Sequence, residues 1–182
     1  MKYRISLSSF NKLDNLDAYI SWLDDEIVFK YLESNTKKST SSDVLKYIEM
    51  QKEEGAIFLP VMYNLNNLHI GNLKIYNIIK KDGQKYGEYS RLIGDKTYWR
   101  MGLGFELGML ALDYCFNTLG FDFIEAGCLS SNTAAVNSNI KIGFKESKRI
   151  QKYMKEKKKT EEVIRFSISK SDYLSKTILS ND

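Results

Sequence analysis

The stretch SRLIGDKTYWRMGLGFELGMLAL, residues 90–112, joins the end of an apolar strand to the most apolar helix that the sequence predicts. Two glycines, Gly102 and Gly104, stand where this helix begins. From there to Leu119, apolar residues recur at helical spacing on two sides. The polar stripe that remains is narrow and consists of Glu106, Asp113 and Asn117. Because such a helix has almost no face for water, we expect it to be mostly buried.

The two glycines favour an anion site at the start of the helix. The first turn of a helix has unpaired N–H groups and a partial positive charge, and a residue without a side chain lets a phosphate reach them. Glycines at this place can also simply tighten a turn. The dinucleotide pattern G-x-G-x-x-G is missed, because Leu107 takes the place of the third glycine, and no G-x-x-x-x-G-K-[ST] loop exists. Only Glu125, at the end of the next predicted strand, favours a nicotinamide or flavin site.

The composition is that of an ordinary folded domain. The chain has 182 residues, 43% of them hydrophobic and 13% aromatic, so residues 1–182 can form one domain without disulfides or a structural metal. No apolar run approaches the roughly 20 residues that cross a bilayer, and the first residues lack the apolar stretch of a signal peptide. With only two cysteines, we expect a cytoplasmic protein with free thiols. His69 is the only histidine, which disfavours a metal site and a Ser-His or Cys-His pair.

Positive charge is concentrated late in the chain, although the formal net charge is only +4. Residues 141–159 include nine basic and two acidic side chains. The run at 155–159 lies between two segments of alternating polarity, which predicts the exposed tip of a hairpin. An anion-facing role for part of this patch is the alternative. The mild total charge does not favour nucleic acid as a partner.

The order of predicted elements indicates a mixed sheet with helices packed on it. Several strands come first without helices between them, and a strand–helix–strand alternation follows, so the class is α/β (α+β) and not a pure doubly wound fold. The predicted strands cover residues 2–7, 56–62, 69–78, 88–93, 121–126, 144–154 and 161–169. The predicted helices cover residues 14–22, 41–52, 102–119 and 133–142. Cap candidates are Ser41, Ser42 and Asp43 for the second helix, and Asn132 and Gly143 for the last.

Three motifs, in this order and spacing, resemble the GCN5-related N-acetyltransferase (GNAT) family, and especially its ribosomal-protein-alanine acetyltransferase-like branch. GEYSRLIGDKTYW, residues 87–99, resembles the glutamate-bearing strand and its loop. WRMGLG, residues 99–104, resembles the pyrophosphate loop [QR]-x-x-G-x-G/A, and NTAAVNSNIKIGF, residues 132–144, resembles the last helix. Residues 22–33 and 69–78 also resemble the branch's acceptor-side helix and third strand. The resemblance implies a mostly antiparallel central sheet whose middle strands splay apart, flanked by helices.

The resemblance also implies that acetyl-coenzyme A, the acetyl donor, lies between two splayed strands, here residues 88–94 and 121–126. Its pantetheine arm would pair with the first strand as an added strand does, and a backbone N–H there would meet the thioester oxygen. The implied cofactor-binding residues are Leu92, Ile93, Trp99, Arg100, Met101, Gly102, Leu103, Gly104, Phe105, Asn132 and Lys141. Lys145 could join Lys141 near the 3′-phosphate. Trp99 replaces the usual Gln or Arg, and Arg100 and Met101 stand where Gly and Lys are commoner. No metal is implied.

The implied reaction is direct attack of an amine on the thioester. Glu88 matches the family's glutamate and would act as the base, directly or through water; a solvent-facing strand carboxylate is the alternative reading. The tyrosine acid of many members is replaced by Asn139, which can donate a hydrogen bond but no proton. A thiol with a pKa near 8.5 leaves tolerably as a thiolate without an acid. Tyr114 and Tyr153 are candidates to replace the missing tyrosine.

Acceptor recognition is assigned to the N-terminal half of the chain. Trp22, Asp24, Asp25, Phe29 and Tyr31 combine rings with carboxylates that suit a cationic amine, although an amphipathic helix end would explain them equally well. The acceptor would be a small amino compound, such as an aminosugar nucleotide or a polyamine, or a protein N-terminus. A non-catalytic acyl-coenzyme A sensor and a nucleic-acid accessory domain are the alternatives. A second copy of the chain, forming a homodimer, is a further candidate partner.

Overall fold

Seven strands and six α-helices are formed by the described residues, which in this computed structural model are 3–12, 16–32, 40–154 and 158–179. The strands are β1 (Ile5–Leu7), β2 (Ile57–Tyr63), β3 (Leu68–Lys81), β4 (Gln84–Ile93), β5 (Phe123–Leu129), β6 (Lys145–Met154) and β7 (Lys159–Ser169). The helices are α1 (Asp17–Asp24), α2 (Glu26–Phe29), α3 (Ser41–Glu53), α4 (Leu103–Asp113), α5 (Thr133–Ile142) and α6 (Lys170–Leu179). Shorter turns are the 3₁₀ segments Phe10–Lys12 and Lys96–Tyr98 and the π-helical segment Tyr114–Thr118. Within these ranges, no helix combines the length and the apolar character that a membrane crossing requires.

The strands form one mixed sheet in the order β1-β2-β3-β4-β5-β7-β6. All neighbouring pairs are antiparallel except β4 and β5, which are parallel. This parallel pair joins only residues 86–89 to residues 123–126. Beyond these residues β4 continues to Ile93 and β5 to Leu129 without pairing to each other, so the two strands diverge. The predicted mixed, mostly antiparallel sheet with splayed middle strands is confirmed.

Helices cover both faces of the sheet. On β2, Phe58 belongs to one apolar cluster, while its neighbours Ile57 and Leu59 contact another, so the two clusters lie on opposite faces. Helix α4 occupies the second face, where Leu107 and Ala111 are fully buried. The cluster on the first face joins α1 and α3 to β2; its buried members are Phe10, Leu16, Tyr19, Trp22, Val28, Val44, Ile48 and Phe58.

Helix α4 is buried as predicted, but it does not continue as a regular α-helix to residue 119. It begins at Leu103, and from Tyr114 the chain takes one π-helical turn before it leaves the helix. The wider turn redirects the chain, so that the Phe121 amide donates to the Cys115 carbonyl at 3.0 Å. Apolar spacing alone does not distinguish the two kinds of turn.

The cap predicted for α3 is corrected by one residue. Its N-cap is Thr40 and not Ser41, Ser42 or Asp43, because Thr40 is the last residue with an extended backbone. The Thr40 hydroxyl accepts from the Asp43 amide at 3.2 Å, and the Asp43 carboxylate accepts from the Thr40 amide at 2.9 Å. The two residues therefore form a capping box.

The ends of α5 agree with the sequence. Asn132 Oδ1 accepts from the Ala135 amide at 3.1 Å, and Gly143 ends the helix with a left-handed φ of 117°. Such a φ is costly for any residue with a side chain, which explains the glycine.

The hairpin of β3 and β4 is longer than predicted. Its turn consists only of Asp82 and Gly83, with φ values of 51° and 78°. This is the backbone that an Asp-Gly hairpin turn requires. The lysine-rich arms on both sides resemble a polar loop, so the sequence pattern does not predict residues 79–81 and 84–87 as strand. Helix α6 was not predicted. The predicted helix start at residue 14 lies outside the described part, as do Lys155 and Lys157 of the predicted hairpin tip.

Candidate active site

A wedge-shaped gap opens between β4 and β5 where their pairing ends. β4 stays on β3 up to the pair of Gly71 with Ile93, while β5 follows β7 up to Leu129. The edge of β4 beyond Tyr89 therefore has no strand partner on the β5 side. An unpaired edge of this kind can receive an extended ligand as an added strand.

The loop after β4 leads into a helix terminus that suits an anion. Arg100 and Gly102 have left-handed φ values of 62° and 79°, and these bends turn the chain into α4. No side chain of the described residues caps α4, so its first amides keep their partial positive charge. At Gly104, no described atom lies within 4 Å of the place where a Cβ would stand. The open space and the unshielded amides fit a phosphate group.

Arg4, which the sequence reasoning missed, supports this loop from β1. Its Nη2 donates to the Met101 carbonyl at 3.0 Å and lies 2.8 Å from Glu106 Oε2. Its backbone amide also donates to the Glu106 carboxylate. One side chain thus ties the loop to the first turn of α4, across 102 residues of sequence from Arg4 to Glu106. No local sequence pattern could have revealed this contact.

The predicted loop residues differ in what they can offer a ligand. Trp99 and Met101 are exposed, and the Trp99 indole N–H donates to the Ile93 carbonyl at 2.7 Å. Leu103 is 1% exposed and its side chain belongs to the core, so only its backbone can face a ligand. Leu92 also lies at the end of β4, where its side chain contacts the cluster of α1 and α3.

Two of the predicted residues meet at the first turn of α4. Lys141 Nζ lies 4.8 Å from the centre of the Phe105 ring, so the α5 cation stands beside the helix terminus. Lys145 instead forms an ion pair with Asp172 at 2.8 Å. Asn132 lies at the start of α5 and uses its side-chain oxygen for the cap described above.

Glu88 lies on the last paired stretch of β4 and is only 8% exposed. Its carboxylate accepts from the Tyr76 hydroxyl at 2.6 Å, from the Asn77 amide at 3.2 Å and from Arg165. The other nitrogen of the Arg165 guanidinium donates to Glu125 on β5 at 2.9 Å. Glu88 is therefore a buried, hydrogen-bonded carboxylate and not a solvent-facing one.

The charge state of Glu88 follows from these contacts. Burial by itself would raise the pKa of the Glu88 carboxyl, but the hydrogen bonds from Arg165, Tyr76 and Asn77 outweigh it, and the pKa lies below its ordinary value. Glu88 is therefore ionised at neutral pH. Its neighbour along the strand, Tyr89, belongs to the core on the α4 face, so Glu88 points to the opposite face, which carries α1 and α2.

Asn139 is 3% exposed. The side chain of Arg91 connects it to the first turn of α4. Arg91 Nη2 donates to Asn139 Oδ1 at 2.6 Å, and Arg91 Nη1 donates to the Gly104 carbonyl at 2.7 Å. The two tyrosines considered as its replacement lie elsewhere. Tyr114 is ten residues further along the helix, about 15 Å from Gly104 at 1.5 Å per residue, and Tyr153 is exposed on the edge strand β6.

The predicted acceptor residues lie over the two sides of the gap. Trp22 of α1 is 6% exposed and packs on Gly94 after β4, where a Cβ would stand 2.1 Å from the indole ring. Tyr31, after α2, contacts the cluster of Leu129 at the end of β5. The segment from Trp22 to Tyr31 therefore crosses from one diverging strand to the other. This segment can form a wall above the gap.

The remaining acceptor candidates have different surroundings. Asp25 caps α2 by accepting from the amides of Ile27 and Val28, at 2.9 Å and 3.3 Å, and it pairs with Lys96. The backbone of Phe29 ends α2, while its side chain is outside the described part. Asp25 is therefore already engaged by a cation and by a helix terminus.

His69 is hydrogen-bonded and packed within the fold. Its Nε2 lies 2.9 Å from the Gly71 carbonyl and 3.0 Å from Asn72 Oδ1, and burial lowers its pKa. Trp22 packs against its ring with centroids 4.9 Å apart. Among the described residues, no three His, Cys, Asp or Glu side chains are grouped as metal ligands would be.

A family model described as an acetyltransferase (GNAT) domain matches residues 4–145. The match covers more than half of the 182 residues. A search of curated protein sequences finds no significant match.

Several solved structures share the whole architecture. Spermidine N-acetyltransferase from Vibrio cholerae, solved with CoA and spermine, has a TM-score of 0.79 at 18% identity, over 94% of this chain and 98% of that one. An acetyltransferase of the GNAT family from Bacillus anthracis has a TM-score of 0.76 at 21% identity, over 94% and 98% of the two chains. Aminoglycoside acetyltransferase AAC(6')-Ib, solved with coenzyme A, has a TM-score of 0.75 at 16% identity, over 96% and 98%. At these identities the likeness is one of fold.

Proposed function

Because the chain belongs to the GNAT family of acetyltransferases and is an acetyl-CoA-dependent N-acetyltransferase, we propose that it acetylates the primary amine of a small amino compound. The observation that carries the proposal is the gap between β4 and β5, which leads from Glu88 to an uncapped helix terminus with open space at Gly104. A donor with a thioester at one end of an extended arm and phosphates at the other matches this arrangement.

The donor would lie along the unpaired edge of β4, with its diphosphate on the loop of residues 99–105. The amides at Leu103 and Gly104 would receive the phosphate charge, and Lys141 beside Phe105 would add a cation. The backbone near Leu92 and Ile93 would hold the pantetheine arm and meet the thioester oxygen. Asn132 would lie beside the same arm. When bound, the donor supplies an acetyl group on a sulfur leaving group.

The amine would approach from the face that carries α1 and α2. Glu88 and Glu125 both belong to this face, because their strand neighbours Tyr89 and Ile124 are core residues of the opposite one. The bound amine must lose a proton to attack, and the ionised Glu88 would accept it through water. A carboxylate with a lowered pKa is a weak base, so besides accepting the proton through water Glu88 would orient that water and stabilise the cation that forms.

A small acceptor is the substrate class that the fold neighbours support. Two of them are named for polyamine and aminoglycoside acetylation, and both kinds of acceptor are cationic amines. The wall from Trp22 to Tyr31 and the carboxylates of Glu88 and Glu125 offer rings and negative charge to such a molecule. An aminosugar nucleotide is one acceptor of this class, and a protein N-terminus is the alternative acceptor. We also propose that the chain descends from the ribosomal-protein-alanine acetyltransferase-like branch.

The second candidate is a non-catalytic acyl-coenzyme A binder of the same fold. It is favoured by Asn139, which stands where many members have a tyrosine acid and which here accepts a hydrogen bond from Arg91. The nucleic-acid alternative has less support. Of its basic side chains in the described part, Arg149 pairs with Glu146 and Glu162, and Lys159 pairs with Glu161.

Calorimetry with acetyl-coenzyme A, followed by a screen of primary amines for released coenzyme A, tests the proposal. We expect saturable binding and thiol release with at least one small cationic amine. Binding without release over polyamines, aminosugars, aminoglycosides and peptides would favour the sensor. No binding at millimolar donor would refute both.

The proposal also covers the domain organisation, the oligomeric state and the location of the protein. Residues 1–182 act as one catalytic domain, a second copy of the chain forms a homodimer, and the enzyme works in the cytoplasm. The two free cysteines, Cys115 and Cys128, support the last statement, since thiols persist in a reducing compartment.

A further inference from the structure

Arg91 reaches from β4 to the far wall of the gap, where three elements meet. Tyr89, two residues before it, faces α4, and residues two apart on a strand share a face. Its guanidinium donates to the Gly104 carbonyl of α4 and to Asn139 Oδ1 of α5. Its charge also acts on Cys128, which lies on β5 beyond the last paired residue. Arg91 therefore stands beside the gap, on the side opposite Glu88.

The guanidinium carbon lies 5.7 Å from the centre of the Tyr89 ring, but the charge has no counterion among the described residues. Arg4, Arg149 and Arg165 each pair with a carboxylate, whereas no carboxylate of the described residues forms an ion pair with Arg91. Both groups that accept its hydrogen bonds are neutral. A half-buried cation without a counterion is unfavourable for the empty fold, and a bound anion would relieve it.

Gly108 makes room for this guanidinium. A Cβ at Gly108 would stand 2.2 Å from Arg91 Nη1. Glycine inside a helix is less favourable than alanine by about 1 kcal/mol. A Cβ there would also stand 2.2 Å from Ile142 Cδ1, so the glycine makes room for the α5 side chain as well as for the guanidinium.

We propose that Arg91, held by Asn139 and Gly104, stabilises the thiolate of coenzyme A as it leaves, in place of a proton-donating tyrosine. The inference rests on the proposed function. With the diphosphate at the α4 terminus, the arm would run back along β4, and its sulfur would lie just beyond the last paired residues, between Arg91 and Cys128. The amine nitrogen bonds to the carbonyl carbon, the carbon–sulfur bond breaks, and its electron pair leaves on sulfur. The amine proton goes to water beside Glu88, and the guanidinium needs to transfer none.

The inference is tested by measuring the pKa of the coenzyme A thiol in its complex with the protein. A pH titration monitored by the ultraviolet absorbance of the thiolate gives this pKa. A free thiol titrates near pH 8.5. We expect the bound thiol to titrate about one pH unit lower, so that above pH 8 coenzyme A binds up to about tenfold more tightly than desulfo-coenzyme A, which lacks the sulfur. The titratable groups near Arg91 do not interfere, because burial raises the pKa of Tyr89 to about 12 and also raises that of Cys128.

Two variants separate charge from structure. Arg91→Gln removes the charge, and Asn139→Asp keeps the shape and the acceptor oxygen but neutralises the field. Both should return the bound thiol pKa to 8.5 or above and abolish the preference over desulfo-coenzyme A, while Arg91→Lys retains part of it. If Arg91→Gln fails to fold, Asn139→Asp alone decides, since a purely structural contact would only be strengthened by the new carboxylate.

Two results would overturn the inference, and both can be distinguished from a failure of the proposed function. An unshifted thiol pKa in the wild-type complex, or equal losses of affinity for coenzyme A and desulfo-coenzyme A in both variants, would show that Arg91 serves the diphosphate or the fold. If the wild-type protein binds neither ligand, the proposed function itself fails.

Discussion

The α-carbon of Gly104 faces open space at the second position of α4. Gly104→Val would place bulk in this space, where a Cβ meets no other described element within 4 Å. We therefore expect acetyl-coenzyme A affinity to fall at least about tenfold, or 1.4 kcal/mol, while the free energy of unfolding changes by less than about 1 kcal/mol. Calorimetry and urea unfolding measure the two effects.

Ser42→Val is the matched control for this change. Ser42 is exposed and also occupies the second position of its helix, α3. The same side chain is thereby introduced at the same helix position away from the site, and donor affinity should not change. If Gly104→Val left the affinity for acetyl-coenzyme A unchanged, the diphosphate would not bind at the start of α4.

The Glu88 carboxylate is expected to affect turnover rather than donor binding. Glu88→Gln should lower kcat about 10²-fold and leave donor affinity unchanged, because the carboxylate acts on the amine and its water. Since the pKa of Glu88 lies below its ordinary value, it is ionised throughout pH 6–9. The rise of rate with pH in that range should follow the acceptor amine and persist, at a lower level, in the variant.

Glu125→Gln is the comparison for Glu88→Gln. It removes the other carboxylate that Arg165 contacts, and Glu125 is more exposed, with 53% of its side chain accessible. We expect its kcat to remain within a few-fold of wild type. Full turnover of Glu88→Gln across pH 6–9 would show that Glu88 is not the base.

The contact of Trp22 with Gly94 joins α1 to the end of β4. The two elements can pack this closely only because Gly94 has no side chain. Gly94→Ala puts a Cβ 2.1 Å from the indole ring, so α1 must shift away from the gap. Overpacking of this kind destabilises by about 1–3 kcal/mol. The KM for the acceptor should rise more than the KM for acetyl-coenzyme A.

A second substitution tests the cause of that effect. Trp22→Leu in the Gly94→Ala background relieves the overlap, so part of the lost stability should return and the two changes should not be additive. Equal effects on both KM values, or strict additivity, would show that α1 does not form the acceptor wall.

The element boundaries show what local patterns can resolve. The ends of α5 were predictable because Asn132 and Gly143 act on their own helix. The hairpin arms around Asp82 were missed because their polar side chains resemble a loop, although they pair well as strands. The π-turn at the end of α4 was missed because its apolar spacing continues that of the helix.

Acid should destabilise the whole molecule. The pKa values of Asp25, Asp43, Glu88, Glu146 and Asp172 all lie below their ordinary values, because basic or hydrogen-bonding neighbours stabilise the ionised forms. A carboxylate with a lowered pKa in the folded state adds stability above its unfolded pKa, about 3.9 for Asp and 4.3 for Glu, and this is lost as pH falls through the folded value.

Urea unfolding between about pH 7 and pH 3 measures this loss. The free energy of unfolding should fall most steeply below about pH 4.5. The Glu88→Gln variant, which has no carboxylate to protonate there, should show a shallower decline. If wild type and variant showed the same pH dependence, protonation of Glu88 would not contribute to the loss of stability in acid.

By itself, the sequence determined those features whose cause lies within a few residues. Helical spacing identified α4 as buried, and the ordered motifs identified the fold family. The anion site at Gly102 and Gly104 is a prediction that the sequence makes by itself. The splay of β4 from β5 was expected only through the resemblance.

Tertiary structure alone decided which distant groups meet. Arg91 reaches Asn139 across 48 residues and Arg4 reaches Glu106 across 102, and the wall of Trp22 rests on Gly94. Such contacts depend on how strands and helices align in space, and neighbours along the chain carry no record of that alignment.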